Sequence, residues 1–165
     1  SLSVNITGSN SATQAFYGGL VGLIGHSNSE LTNISMSGTI SGDRVGGIIG
    51  YSRGSAGKPA NITVISITVS SDLNGAKYAG GIISFLSGYT NVSGNNITAL
   101  QSHTGIVFKD ERPPSIGTIL GYTSLNVFIN LTDIDDGQNN DGAHYVGTDG
   151  DNSNKTEDGK ILQDE

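Results

Sequence analysis

Val45-Gly46-Gly47-Ile48-Ile49-Gly50-Tyr51 is a glycine-flanked aliphatic pair, and its pattern recurs along the 165-residue chain. The copies begin at Gly18, Gly46, Gly80 and Gly117, with spacings of 28, 34 and 37 residues, and a partial fifth copy begins at Tyr145. Glycine weakens a strand unless another backbone approaches closely or a sharp bend is required. Stacked coils impose both requirements, so the repeat predicts an all-β, parallel β-solenoid of about four glycine-rich repeats.

Equivalent positions of the copies are expected to stack in columns. One column would contain Leu20, Ile48, Ile82 and Ile119, and the repeat-stacking column would contain Leu23, Tyr51, Phe85 and Tyr122. A second strand is expected to start at Asn33, Asn61, Asn96 and Asn130, which follow their glycines by 15, 15, 16 and 13 residues. The run from Val64 to Val69 breaks the alternation of apolar and polar residues, which predicts a bulge or burial on both faces.

The stretch from Val45 to Tyr51 resembles the GLUG motif, the glycine-rich repeat of many surface adhesins and secreted repeat proteins. The resemblance extends over roughly residues 16–122 through four copies. Thr118 replaces the second glycine of the fourth copy, and Ser84 replaces the later glycine of the third. The resemblance implies a parallel β-solenoid with a surface or adhesive role, and it carries no catalytic residues over to this chain.

The alternative fold is a β-sandwich or jelly roll whose glycine-rich strands resemble one another by composition alone. Antiparallel sandwiches also use short alternating strands between turn clusters. They do not require four copies of one six-residue pattern, however, and the repeat therefore favours the solenoid.

Composition and charge narrow the class of protein. Ser, Thr, Asn and Gly supply 75 residues, cysteine is absent, and no apolar run approaches the ~18 residues of a membrane helix. Residues 1–132 have a net charge of +1, from six basic and five acidic side chains, whereas residues 133–165 have −8, from two and ten. We therefore expect a solenoid domain over 1–132, an acidic C-terminal segment over 133–165 and neither nucleic acid nor anionic lipid as a partner.

Asn-x-Ser/Thr acceptors are about twice as frequent as random placement would give. The seven asparagines are Asn5, Asn33, Asn61, Asn91, Asn96, Asn130 and Asn154. The functional interpretation is N-glycosylation in a secretory route, which requires these asparagines to be exposed. The structural alternative is an asparagine ladder within the solenoid. Alternation along a strand would place both acceptor residues on the solvent face, which favours glycans and an extracellular location.

The acidic segment suggests calcium binding, because closely spaced carboxylates are hard oxygen ligands. The candidate ligands are Asp133, Asp135, Asp136, Asp141, Asp149 and Asp151. Compared with an EF-hand loop beginning at Asp149, Asn154 stands at the sixth position, where glycine is required, and Lys160 at the twelfth, where glutamate is required. A solvated acidic segment is the alternative, and no other cofactor is expected.

Catalysis has little support in the sequence. His26, His103 and His144 are isolated, and Asp110-Glu111 is the sole adjacent acidic pair before residue 133. The chain is therefore expected not to be an enzyme, although polysaccharide-active enzymes also use parallel β-helices. The tyrosines could provide a platform for sugar stacking, but rows of rings more often pack against one another.

The two ends of the chain resemble complementary halves of one repeat, which predicts head-to-tail joining into a homo-polymer. Asn5-Ile6-Thr7 precedes Gly18 by the same 13 residues that separate Asn33 from Gly46. Contacts of this heterologous kind do not close, so they would form a filament. The expected function is a structural subunit of an extracellular, N-glycosylated filament or surface coat. A glycan- or surface-binding adhesin is the first alternative function, and a polysaccharide-active β-helix enzyme is the second. The alternative to self-assembly is that the chain is a fragment of a longer repeat array.

Overall fold

The computed structural model describes residues 1–8, 15–102, 115–124, 126–137, 155–157 and 160–162. Within these ranges the chain forms β-strands and no helix. The strands are β1 (Leu2–Thr7), β2 (Phe16–Gly18), β3 (Val21–Gly25), β4 (Asn28–Gly46), β5 (Ile49–Arg53), β6 (Ala60–Val69), β7 (Asp72–Gly80), β8 (Ile83–Ser87), β9 (Thr90–Ala99), β10 (Ser115–Gly117), β11 (Leu120–Thr123), β12 (Val127–Leu131), β13 (Ile134–Asp135), β14 (Lys155–Glu157) and β15 (Lys160–Leu162).

The strands wind into a parallel β-solenoid of about three turns, which confirms the predicted fold. A four-stranded parallel sheet has the order β11-β8-β5-β3, and an eleven-stranded sheet contains the remaining strands. Each strand of the first sheet pairs with its equivalent one coil away, as Leu23 pairs with Tyr51 and Tyr51 with Phe85. Since neighbouring coils pair in parallel, the sandwich alternative is wrong.

The glycine pairs lie where one coil packs directly on the next. A Cβ atom on Gly47 would overlap the carbonyl oxygen of Gly81, and one on Gly81 would overlap that of Thr118. Each rung of glycine backbone therefore fits against the next only without a side chain. Thr118 stands at the second glycine position on the last described rung.

Ile48, Ile82 and Ile119 form a fully buried column inside the glycine-rich turns, and their backbone amides and carbonyls hydrogen-bond from rung to rung at 2.9–3.0 Å. Leu20 belongs to the same backbone ladder but is 43% exposed because it lies on the first rung. The long strands add further aliphatic columns, so the core extends along the solenoid axis. Ser84 also lies inside, where its hydroxyl is buried without a hydrogen-bond partner among the described atoms.

A column of left-handed residues corrects the expected alignment of the asparagines. Asn33, Ser66, Asn96 and Asp133 share one register and have φ angles of 57°, 55°, 55° and 53°. Asn33 thus stacks beside Ser66 and not beside Asn61, and it lies within β4 instead of starting a strand. The left-handed residue turns two successive side chains outward, which is the irregularity predicted between Val64 and Val69.

The two sheets end differently at the two ends of the described solenoid. Strand β3 is the edge of the four-stranded sheet and, among the described strands, pairs only with β5. At the other end, β14 and β15 form an antiparallel pair, and β15 joins β12 through Leu131 and Ile161. A short part of the predicted acidic segment therefore pairs with the solenoid over 1–132.

Candidate functional site

One outer surface, here called the polar face, is formed by the outward side chains of four stacked rungs. The rungs are the first half of β4, then β6, β9 and the segment from β12 to β13. All the outward side chains are exposed or half-buried, whereas the intervening residues point into the core. On the first three rungs they are Asn, Ser and Thr, with the exceptions of Glu30 and Ile65. The face therefore offers neutral hydrogen-bonding groups in a regular array.

An asparagine column runs along this face and consists of Asn28, Asn61 and Asn91. The Asn61 amide nitrogen donates to the Asn28 side-chain oxygen at 2.7 Å, and the Asn91 amide nitrogen donates to that of Asn61 at 2.8 Å. The next residue in this register is Phe128, whose ring is 53% exposed. The hydrogen bonds fix the orientation of the three amides, and each amide group keeps capacity for further partners.

The left-handed column lies on the same face, five residues further along each rung than the asparagine column. Asn96 donates from its amide nitrogen to the Ser66 hydroxyl at 3.0 Å. Asparagine, aspartate and serine are short polar residues, and the first two are the non-glycine residues that most readily take a positive φ. The backbone conformation therefore supplies a structural reason for asparagine at Asn33 and Asn96.

The predicted acceptor asparagines lie at the surface wherever the structure describes them. Asn61 is half-buried, and the exposed ones are Asn5, Asn33, Asn91, Asn96 and Asn130. Asn5 accepts a hydrogen bond from the Thr39 backbone amide at 3.2 Å. Asn154 lies outside the described residues. Exposure is compatible with N-glycosylation, while the two columns show that four of these asparagines also contribute to the solenoid itself.

Aromatic rings form a second surface feature, here called the aromatic seam, between the strands before and after the glycine pairs. It contains Phe16, Tyr51, Tyr78, Phe85 and Tyr122. Phe16 stacks on Tyr51 with ring centroids 4.4 Å apart, and Phe85 stacks on Tyr122 at 5.0 Å. Leu23 shares the register of Tyr51 but is 62% exposed on the first rung.

Arg44 lies within the aromatic seam and is nearly buried. Its guanidinium group lies 4.8 Å from the centre of the Phe16 ring and 5.4 Å from that of Tyr78. Its Nε atom lies 3.7 Å from a carboxylate oxygen of Asp43, which is also nearly buried. The cation thus packs between two rings and beside its counter-ion. This arrangement stabilises the corner between the strands before and after the glycine pairs. Because the rings cover one another, the seam leaves less ring face for a sugar than the row of tyrosines indicated.

The calcium candidates are only partly described. Asp133 and Asp135 are exposed, Asp136 is nearly buried, and Asp135 accepts a hydrogen bond from the Gly137 amide at 2.9 Å. Asp141, Asp149 and Asp151 lie outside the described residues. Within the described ranges, no group of three or more carboxylate or imidazole side chains is arranged to hold a metal ion.

The remaining candidates from the sequence are three histidines and one acidic pair. His26 is exposed and its Nδ1 atom lies 3.0 Å from the Lys58 carbonyl oxygen, while His103, His144 and the pair Asp110-Glu111 lie outside the described residues. In the part of the chain that is described, no helix is long and apolar enough to cross a membrane.

Comparison with known proteins found no match to a family model, a curated protein or a solved structure. The resemblance to GLUG repeats therefore stays a prediction based on the four glycine-rich copies.

Sequence reasoning missed the members of both surface features that do not belong to the glycine motif. Asn28 has no acceptor sequence after it, so it was not grouped with Asn61 and Asn91. Phe16, Arg44 and Tyr78 share one register, yet they have no residue type in common. Each precedes its glycine pair by two residues, and aligning the copies from that side would have found the column.

Proposed function

We propose that this chain is a structural module of an extracellular filament or surface coat, and that copies join end to end through the open edge of the first coil. The observation that carries the proposal is strand β3. Among the described strands it pairs on one side only; Leu23 within it is 62% exposed, and Leu20 just before it is 43% exposed. An edge strand with unpaired backbone groups and apolar side chains favours addition of another strand.

A second copy of the chain is the proposed occupant of this edge. In the solenoid, the rings of the Leu23 column pack from coil to coil, as Tyr51 packs against Phe85 with ring centroids 5.4 Å apart. A glycine-rich coil from a second copy presents the same backbone direction and the same column. The partial motif beginning at Tyr145, which lies outside the described residues, is the proposed docking strand. Addition in this direction repeats without closing, so it leads to a filament.

N-glycans form the second part of the proposal. Exposure of the described acceptor asparagines supports it, and Asn5 and Asn130 lie in neither the asparagine column nor the left-handed column. Protein from a eukaryotic secretory host is expected to lose mass after N-glycosidase treatment. An unchanged mass would remove the glycans from the proposal and leave assembly untouched.

The substitution Leu23→Lys tests assembly. Leu23 is largely exposed, so the variant is expected to fold, but a charged side chain at the docking edge opposes strand addition. Electron microscopy and sedimentation should show filaments or larger species for the unaltered chain and monomers for the variant.

Leu100→Lys provides the matched control, because Leu100 is also exposed, at 50%, and lies away from β3. It is expected to assemble like the unaltered chain. Uniform monomers of the unaltered chain at high concentration, or equal assembly of all three proteins, would contradict the proposal.

A further inference from the structure

We infer that the asparagine column of the polar face, together with the ring of Phe128, binds an extended neutral polysaccharide. This binding surface is separate from the β3 edge that carries the proposed assembly. The inference combines the geometry of the column, the exposure of the ring and the charge of the face.

The column provides ordered hydrogen-bonding groups at a constant spacing. Successive rungs of a β-sheet are about 4.8 Å apart, so the line from Asn28 to Phe128 extends about 14 Å along the solenoid axis. The amides of Asn28, Asn61 and Asn91 are held by hydrogen bonds of 2.7 and 2.8 Å to one another. Since these side chains are already oriented, less conformational entropy is lost when a ligand binds.

Phe128 completes the site with an apolar surface. Phe128 stands where the other three rungs have asparagine, so its side chain cannot join the hydrogen bonds of the asparagine column. Its ring is 53% exposed. A pyranose ring has an apolar face of C–H groups and a rim of hydroxyl groups. Such a ring can stack on Phe128 while hydroxyl groups of neighbouring sugar units exchange hydrogen bonds with the amides.

The charge of the polar face selects a neutral ligand. Glu30 is the charged side chain among the outward residues of β4, β6 and β9, and it accepts a hydrogen bond from Thr32 at 3.1 Å. Asp133 and Asp135 add negative charge further along the rung that contains Phe128, which disfavours anionic polysaccharides. The outward residues of the four rungs that form the polar face include no lysine or arginine that could attract phosphate groups.

The inference takes Asn61 and Asn91 as unmodified, with the proposed N-glycans at acceptors outside the column such as Asn5 and Asn130. The test therefore measures binding of protein from a host that does not attach N-glycans, because a glycan on Asn61 or Asn91 would cover the column. Affinity electrophoresis would compare gels containing hydroxyethyl cellulose, laminarin or galactomannan with gels containing anionic polygalacturonate. We expect retardation by at least one neutral polymer and none by polygalacturonate.

Phe128→Ala should weaken the retarded interaction about tenfold, since an exposed stacking ring is lost while the core is unchanged. Leu100→Ala is the control and should leave binding unchanged. The same measurement in the Leu23→Lys background separates this site from assembly, because that variant should stay monomeric and still bind. Absence of retardation by every neutral polymer, equal retardation by polygalacturonate, or equal affinity of the Phe128→Ala and Leu100→Ala variants would overturn the inference.

Discussion

At the scale of one residue, Gly47 shows why the repeat requires glycine at this position. A methyl group there would overlap the Gly81 carbonyl oxygen and crowd the Val69 side chain. Both obstacles are inside the stack, and the carbonyl belongs to a backbone that is hydrogen-bonded to the neighbouring rungs. The close approach of two coils therefore depends on the missing side chain.

Gly47→Ala is expected to lower the free energy of unfolding by about 3 kcal/mol, because the coils must separate to admit the methyl group. The control is Gly22→Ala, since nothing lies within 4 Å of a Cβ atom added there. That variant should stay within about 0.5 kcal/mol of the unaltered chain. Denaturant unfolding monitored by circular dichroism measures both, and equal stabilities would show that the glycine pair has no packing role.

At the scale of the element, the residues of the left-handed column interrupt the alternation of side chains along the long strands. In β9, Asn95 has its side chain outward in an ordinary strand conformation, and Asn96 follows with a φ of 55°. A β-branched residue in the left-handed region is strained. The neighbouring column has the ordinary strand conformation, and it already contains the β-branched residue Ile65 beside Asn95. The two adjacent asparagines therefore differ: Asn95 occupies a position that suits β-branched residues, and Asn96 occupies one that excludes them.

Asn96→Val is expected to destabilise the protein by about 2 kcal/mol, from backbone strain and loss of the hydrogen bond to Ser66. Asn95→Val should be neutral or slightly stabilising, because valine suits a strand and would pack beside Ile65. Thermal unfolding of protein from a host that does not glycosylate provides the comparison. A larger loss for Asn95→Val than for Asn96→Val would refute the assigned role of the column.

The same column explains how far the sequence could predict the structure. The glycine copies gave the correct register for Leu23, Tyr51 and Phe85, because each copy is short and its spacing to the glycines is fixed. The predicted alignment of the asparagines was wrong, because two different columns each contain Asn followed by an aliphatic residue and because the coils differ in length. Asn33 and Asn61 were therefore aligned although the fold places them five residues apart in register. Arg44 was missed because its partners, Phe16 and Tyr78, come from other coils and share no residue type with it, so that only their common spacing to the glycines indicates the column.

At the scale of the whole molecule, stability is shared along one axis. Each rung contacts its neighbours, so a rung at an edge has lost half of its partners. Leu20 and Leu23 on the first rung are exposed where Ile48 and Tyr51 on the next rung are buried or half-buried. Burial of these leucines by a second copy would therefore stabilise the folded state as well as join two molecules.

The melting temperature should consequently rise with protein concentration. A partner that binds only the folded chain adds up to about 1.4 kcal/mol for each tenfold increase in concentration, or about 3 °C for a chain of this size. Differential scanning calorimetry over a hundredfold range of concentration should show the rise for the unaltered chain and for Leu100→Lys. The Leu23→Lys variant should melt at one temperature throughout, because its first rung no longer accepts a strand. If the unaltered chain also melts at a single temperature, the open edge of β3 does not bind a second copy.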